Sequence, residues 1–263
     1  MTGTFLEKVI VKTRRSVADR SAETGLAAIK ARAEATRSSA RPNMFREALS
    51  RTGRNNIIAE IKRASPSKGV INDFIDVRET ALAYERGGAA AISVLTEPEY
   101  FKGSLDDLLL ARSTVKLPLL RKDFMVDEYQ IFEAAAFGSD AVLLIVAALN
   151  DGELRQMLSL TRNLGMDAIV EVHTAAELEA AGNAAAEIIG VNNRDLLSLA
   201  VSLDVSRELI SLRPPGTLMI AESGISGRSE IDELRALGFD GFLIGETLMR
   251  SGDPAAMLED LGA

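Results

Sequence analysis

The sequence contains no cysteine, a single histidine (His173), and no apolar run approaching the roughly 20 residues of a membrane-spanning helix. Without cysteine there is neither a disulfide framework nor a thiolate nucleophile, and one histidine excludes a His-based metal cluster of the usual kind. Catalysis therefore falls to carboxylates, amines, amides or hydroxyls. The opening stretch MTGTFLEKVIVKTRR holds too few apolar residues before Arg14 and Arg15 for a secretory signal, so a cytoplasmic location is expected. An overall basic balance is lacking too: the net charge of −8 argues against general nucleic-acid binding. Residues 1–45 are the exception, with nine Lys/Arg against four Asp/Glu, and they read as a solvated helix face.

What is present is a repeating alternation. From Asn55 onward, short apolar runs recur at 55–61, 90–95, 117–121, 140–146, 167–172, 187–192, 217–222 and 240–244, each followed by a capped amphipathic segment. Asp76 ahead of Val77, Ala81 and Tyr84 marks one helix start. Ser104 with Asp107 and Asn150 with Glu153 predict capping boxes, and Gly138, Gly165 and Gly238 mark helix ends. Nearly continuous apolar runs such as VLLIV at 142–146 suit parallel strands buried on both faces. An open doubly wound sheet is the competing arrangement, but no G-x-G-x-x-G follows the first strand, and polar residues sit at the ends of many strands rather than around one crevice. The reading is an α/β fold, a (β/α)₈ TIM barrel. A single domain covers 1–263, with an N-terminal helical extension at 1–45 and the barrel at 55–263. In the extension, Phe5, Val9 and Ile10 form one apolar stripe, and an Ala-rich run spans Ala22 to Ala35.

In such a barrel the loops at the carboxyl ends of the strands build the site. Glu60 and Lys62 are two apart and share a strand face, Lys122 shares a face with Leu120, and Glu171 with Ile169. Asn192 and Arg194 end the sixth strand, and Glu222 ends the seventh. Ionised groups inside a barrel cost several kcal/mol unless paired, so three cations (Lys62, Lys122, Arg194) are expected to face three carboxylates (Glu60, Glu171, Glu222). That network would keep the lysines protonated, as a general acid requires. Ser65 in SPSKG, Ser223-Gly224 and Gly245-Glu246-Thr247 supply hydroxyls and glycine turns whose amides suit an anion, and Arg194 is in register with them. The carboxylate of Glu246 is unwelcome there and is expected to turn away, leaving its amide.

The motifs IAEIKRASPSKG (58–69), LTEPEYFKGS (95–104), LPLLRKDFMVDEYQI (117–131), VEVH (170–173), IGVNNRDL (189–196), AESGI (221–225) and GFLIGETLM (241–249) resemble the indole-3-glycerol phosphate synthase family, in its order and spacing. The resemblance runs from the N-terminal helices to the last strand, and implies that those helices lie over the barrel mouth. It implies that Lys122 is the general acid and Glu171 the general base. Lys62 becomes the carboxylate anchor and second acid, with Glu60, Asn192 and Glu222 orienting. Phe101, Phe124, Leu143 and Leu243 would line an aromatic pocket, while Ser65, Arg194, Ser223, Gly224, Gly245 and the amide of Glu246 would hold phosphate. Many relatives look to have Ser where Glu246 stands. The implied substrate is 1-(2-carboxyphenylamino)-1-deoxyribulose 5-phosphate, cyclised with loss of CO₂ and water; no cofactor and no metal is expected, no nucleic-acid or membrane partner, and a monomer.

Two other readings use some of the same features. A phosphoribosylanthranilate isomerase-like barrel would bring a Cys/Asp acid-base pair, and this chain has no cysteine. A non-catalytic phosphometabolite-binding barrel has no need of both an acid and a base at its mouth. His173 reads as a strand-end packing or hydrogen-bonding group, Met125 and Met166 as filling, and Asp123 as a helix-facing ion pair or cap.

Overall fold

The computed structural model describes residues 4–263. Thr4 caps α1 (Phe5–Glu23) in a reciprocal box with Glu7, and α2 (Leu26–Arg37) and α3 (Met44–Leu49) follow. The chain then runs β1 (Asn56–Ile61), a small hairpin of β2 (Ala64–Ser65) and β3 (Gly69–Val70), α4 (Val77–Arg86), β4 (Ala91–Leu95), α5 (Leu105–Thr114), β5 (Leu119–Lys122), α6 (Glu128–Ala136) and β6 (Ala141–Ile145). The second half comprises α7 (Asp151–Asn163), β7 (Asp167–Val172), α8 (Ala175–Asn183), β8 (Ile188–Asn192), α9 (Asp204–Leu209), β9 (Leu218–Glu222), α10 (Arg228–Leu237), β10 (Gly241–Ile244), α11 (Glu246–Arg250) and α12 (Pro254–Asp260).

Strands β1 and β4 to β10 are all parallel and close into a barrel in the order β1-β10-β9-β8-β7-β6-β5-β4. This is a TIM barrel. The alternation of each strand splits its side chains between two cores. Ile57, Ile92, Val142, Val170, Ile189, Met219 and Phe242 face the helices, whereas Ile58, Leu120, Leu143, Ile169, Ile188, Ile220 and Leu243 fill the interior. The third strand begins two residues later than the sequence run, at Leu119, because Pro118 has no N–H for the ladder and contributes only its carbonyl, to Ile92.

Most of the punctuation acts as the sequence indicates. Asp76 accepts the Glu79 N–H, and Asn150 and Glu153 cap each other. Gly138, Gly165 and Gly238 all take positive φ after their helices. Ser104 is a correction: its hydroxyl accepts the Asp107 N–H, but Asp107 does not return the bond. Its carboxylate instead takes both ends of the Arg63 guanidinium, at 2.6 and 2.9 Å, a stronger charge-assisted pair.

The N-terminal extension also departs from its reading. Ala22 falls in the last turn of α1 rather than in the Ala-rich helix, α3 begins only at Met44, and of these helices only α1 reaches the mouth, where Phe5 packs edge-on against Phe124 and Tyr100. Helix α2 lies along α6, fixed by Arg37, whose guanidinium donates to the carbonyls of Ser139, Leu164 and Gly165 and pairs with Asp140. Short α3 plugs the opposite end: Phe45 and Leu49 are fully buried beside the first residues of the strands, and Asn56 donates to the Leu49 carbonyl.

Candidate active site

At the carboxyl ends of the strands a cavity of about 150 Å³ opens into the barrel. All the site residues named from the sequence line it: Glu60, Lys62, Ser65, Phe101, Lys122, Phe124, Leu143, Glu171, Asn192, Arg194, Glu222, Ser223, Gly224, Leu243, Gly245 and Glu246. They converge because Glu60, Lys122, Glu171, Asn192 and Glu222 are the last inward-facing positions of their strands, Lys62 and Arg194 follow just beyond two of those strand ends, and neighbouring strands hold these positions level: Asn192 is in register with Glu222, and Ile145 with Glu171.

Lys122 is the centre of the charge network. Its Nζ donates to Glu171 Oε2 at 2.9 Å and to Glu222 Oε2 at 2.6 Å, and only 13% of its side chain is exposed. Burial alone would lower its pKa, but the charges of Glu171, Glu222 and Glu60 outweigh that and hold it well above the ordinary lysine value. One ammonium cannot keep two buried carboxylates ionised equally. Burial opposes ionisation at Glu171 as well, yet Lys122, His173 and the Asn192 amide, which donates to Oε1 at 3.1 Å, keep its pKa below the usual range. Glu222 has less help: burial and the charges of Glu171 and Glu60 overcome Lys122 and raise its pKa, and among the described residues its Oε1 has no hydrogen-bond partner.

Lys62 makes a separate pair with Glu60 at 2.6 Å. Both lie against Gly245, where an added Cβ would overlap Glu60 Oε1 and fall 2.8 Å from Lys62 Nζ. Arg194 corrects the expectation that three cations face three carboxylates. Among the described residues it makes no ion pair; its Nη1 donates to Ser67 Oγ and the Leu199 carbonyl, both at 3.0 Å, beyond the end of β8. Its charge is therefore uncompensated beside Ser223 (φ 65°) and Gly224 (φ 80°), a turn of the kind that presents backbone amides to anions. Asn192 Oδ1 ties this rim together by accepting from the Arg194 N–H and the Ser223 hydroxyl. The Glu246 carboxylate turns to Arg250, at 3.2 Å, with Lys68 3.9 Å away.

The apolar side of the cavity contains residues that the motifs did not single out: Phe5 from α1, Ile145, Leu196 and Leu199. Phe5 had a signal, its stripe with Val9 and Ile10, but a stripe does not say which surface it meets. Asp123 faces away from Lys122 and pairs with Arg121 at 3.0 Å, and Arg121, only 1% exposed, also pairs with Glu133. His173 accompanies the site: its backbone N–H donates to Glu177, and its ring sits 3.3 Å from Glu177 and 3.4 Å from Glu171. Burial works to lower its pKa, but those two carboxylates prevail and raise it.

Residues 6–261 match the family model described as indole-3-glycerol phosphate synthase. The chain is 46% identical over 261 residues to a protein of that name from Carboxydothermus hydrogenoformans, covering 98% of this chain and 99% of that one. It belongs to the indole-3-glycerol phosphate synthase family. A relative of the same name from Mycobacterium ulcerans is 47% identical over 258 residues, covering 98% of this chain and 93% of the relative. Beyond the family, the barrel superposes on 3-hexulose-6-phosphate synthase from Salmonella typhimurium with a TM-score of 0.61, covering 78% of this chain and 96% of that one. At 13% identity that likeness is one of fold.

Proposed function

We propose that this cavity carries out the family's carboxy-lyase reaction in tryptophan biosynthesis, closing the indole ring of indole-3-glycerol phosphate from 1-(2-carboxyphenylamino)-1-deoxyribulose 5-phosphate with release of CO₂ and water. The observation that carries the reading is one cavity lined by an ammonium between two carboxylates, a guanidinium with no ion pair among the described residues, and a set of apolar side chains. The sugar phosphate goes to Arg194, Ser65 and the amides of Ser223, Gly224, Gly245 and Glu246. The aminobenzoate ring lies against Phe101, Phe124, Leu143 and Leu243, with Phe5 above, and its carboxylate goes to Lys62.

This placement holds the ring carbon bearing the carboxylate against the ketone carbon, and converts ring closure into a matter of approach already made. As that carbon attacks, the ketone oxygen gains charge and takes a proton from Lys122. An ammonium with a raised pKa gives its proton only to a stronger base, and an alkoxide is one. Carbon dioxide then leaves, the C–C bond electrons returning to the ring system. Once Lys122 has given up its proton, the largest of the charges that held Glu171 down is gone, so Glu171 becomes a better base just when the proton that restores aromaticity must be removed. The hydroxyl departs as water with a proton from a lysine, Lys62 standing near as the second acid. Glu60, Asn192 and Glu222 hold these groups in place.

The test is turnover followed by indole fluorescence. Lys122→Ala and Glu171→Gln are expected to lower kcat by roughly 100-fold or more while the thermal transition stays cooperative. Near-normal turnover in either would remove that residue from its role, and tight binding without turnover in the wild type would favour a non-catalytic barrel.

A further inference from the structure

Gly190 lies in the middle of β8. Its flanking residues Ile189 and Val191 face the helices, and Ile188 and Asn192 face the interior, so position 190 also faces inward. Its backbone makes no demand for glycine: it is absent from the positive-φ positions, and it pairs in register with Glu171 of β7 and Ile220 of β9. A glycine inside a strand weakens it, through chain entropy and lost packing. For stability alone, a branched residue like Ile188 or Ile220 would serve better. The vacated space is filled by the carboxylate of Glu222. A Cβ at position 190 would overlap Glu222 Oε1, stand 3.2 Å from its Cδ, and lie 2.8 Å from Ile169 Cγ2. That same Oε1 has no hydrogen-bond partner among the described residues, while Oε2 accepts from Lys122 at 2.6 Å. One oxygen is held by an ion pair and the other by shape.

We infer that Gly190 is a positioning residue for the reaction, its missing Cβ being the socket that seats Glu222 against Lys122 and so fixes Lys122 between Glu222 and Glu171. This rests on the reading above, in which Lys122 and Glu222 take part in turnover. With the socket closed, the Glu222 carboxylate has to swing away from β8, and the ammonium keeps Glu171 alone.

The experiment is a double-mutant cycle: kcat and KM for the wild type, Gly190→Ala, Glu222→Ala and the double variant, each checked by thermal melting. Gly190→Ala is expected to lower kcat roughly 10- to 100-fold, the scale of a misplacement near 1 Å, with KM little changed. It should also shift the pH profile of kcat toward that of Glu222→Ala. In the Glu222→Ala background the same substitution should leave kcat within about twofold, because no carboxylate remains to be displaced. A drop of undiminished size there would mean that the added methyl acts through Ile169 and the backbone, and would overturn the inference. If Gly190→Ala does not fold, the double variant decides: a restored cooperative melt supports the socket, and continued failure overturns it. Wild-type kcat in Glu222→Ala would remove Glu222 from the reaction, and the inference with it; an impaired Glu222→Ala with an additive effect at position 190 removes the socket alone.

Discussion

Lys122 and Arg194 are both cations at the mouth of one barrel, yet their surroundings differ in a way that suits the opposite uses proposed for them. Lys122 is enclosed by carboxylates, so its charge is satisfied before any ligand arrives and it is suited to proton donation. Arg194 rests on a hydroxyl and a carbonyl, so its charge has no carboxylate partner among the described residues, as the proposed phosphate contact requires. Arg194→Ala is accordingly expected to raise KM about 10- to 100-fold, the equivalent of the roughly 1.5–3 kcal/mol of charge-assisted hydrogen bonds, with kcat changed only a few-fold. Steady-state kinetics with and without the substitution decide it, and an unchanged KM would count against a phosphate contact. The residue types at this rim were legible in the sequence because two-residue spacing puts side chains on one strand face. The pairing was not, since it depends on which strand ends lie opposite each other across the barrel.

The N-terminal helices show the same division at the level of elements. Periodicity and composition mark the extension as helical, but the buried faces of α1, α2 and α3 meet three different surfaces: the mouth, the flank at α6 and the closed end of the barrel. Arg37 is the clasp for α2, with 7% of its side chain exposed and four acceptors on two connections, α6–β6 and α7–β7. Arg37→Ala leaves Asp140 with Arg112 alone and strands three carbonyls, so a loss of about 2–4 kcal/mol in urea unfolding is expected, with kcat preserved in the folded fraction. Helix α1 contributes to the site instead. Phe5→Ala is expected to raise KM several-fold with little change in melting temperature, because it removes one wall of the apolar slot from a partly exposed position; an unaffected KM would place Phe5 outside the substrate contacts.

Across the whole molecule, the buried acids and His173 link function to stability through pH. The folded pKa of Glu222 lies above its ordinary 4.5, so over the interval between the two the native state holds a proton that the unfolded chain has lost, and stability falls as pH rises. His173 acts in the same sense above 6.5, and buried Glu97 and Asp167 act likewise from their own ordinary values upward. Glu171 acts in the opposite sense: its folded pKa is lowered, so its contribution is present above 4.5 and disappears as pH falls through the folded value. The melting temperature is expected to decline between about pH 5 and pH 8, and Glu222→Gln to flatten that decline without abolishing it; a slope unchanged in the variant would refute the assignment. The sequence by itself determined the alternation of strand and helix, the inward face of each strand and the residue types at each strand end, because these follow from local periodicity and chain spacing. Only the tertiary structure decided that Arg194 makes no ion pair among the described residues, that Lys122 bridges two carboxylates, and that Gly190 leaves the space into which one of them fits. Those facts depend on distances between segments far apart in the chain, which closure of the barrel fixes and no local pattern encodes.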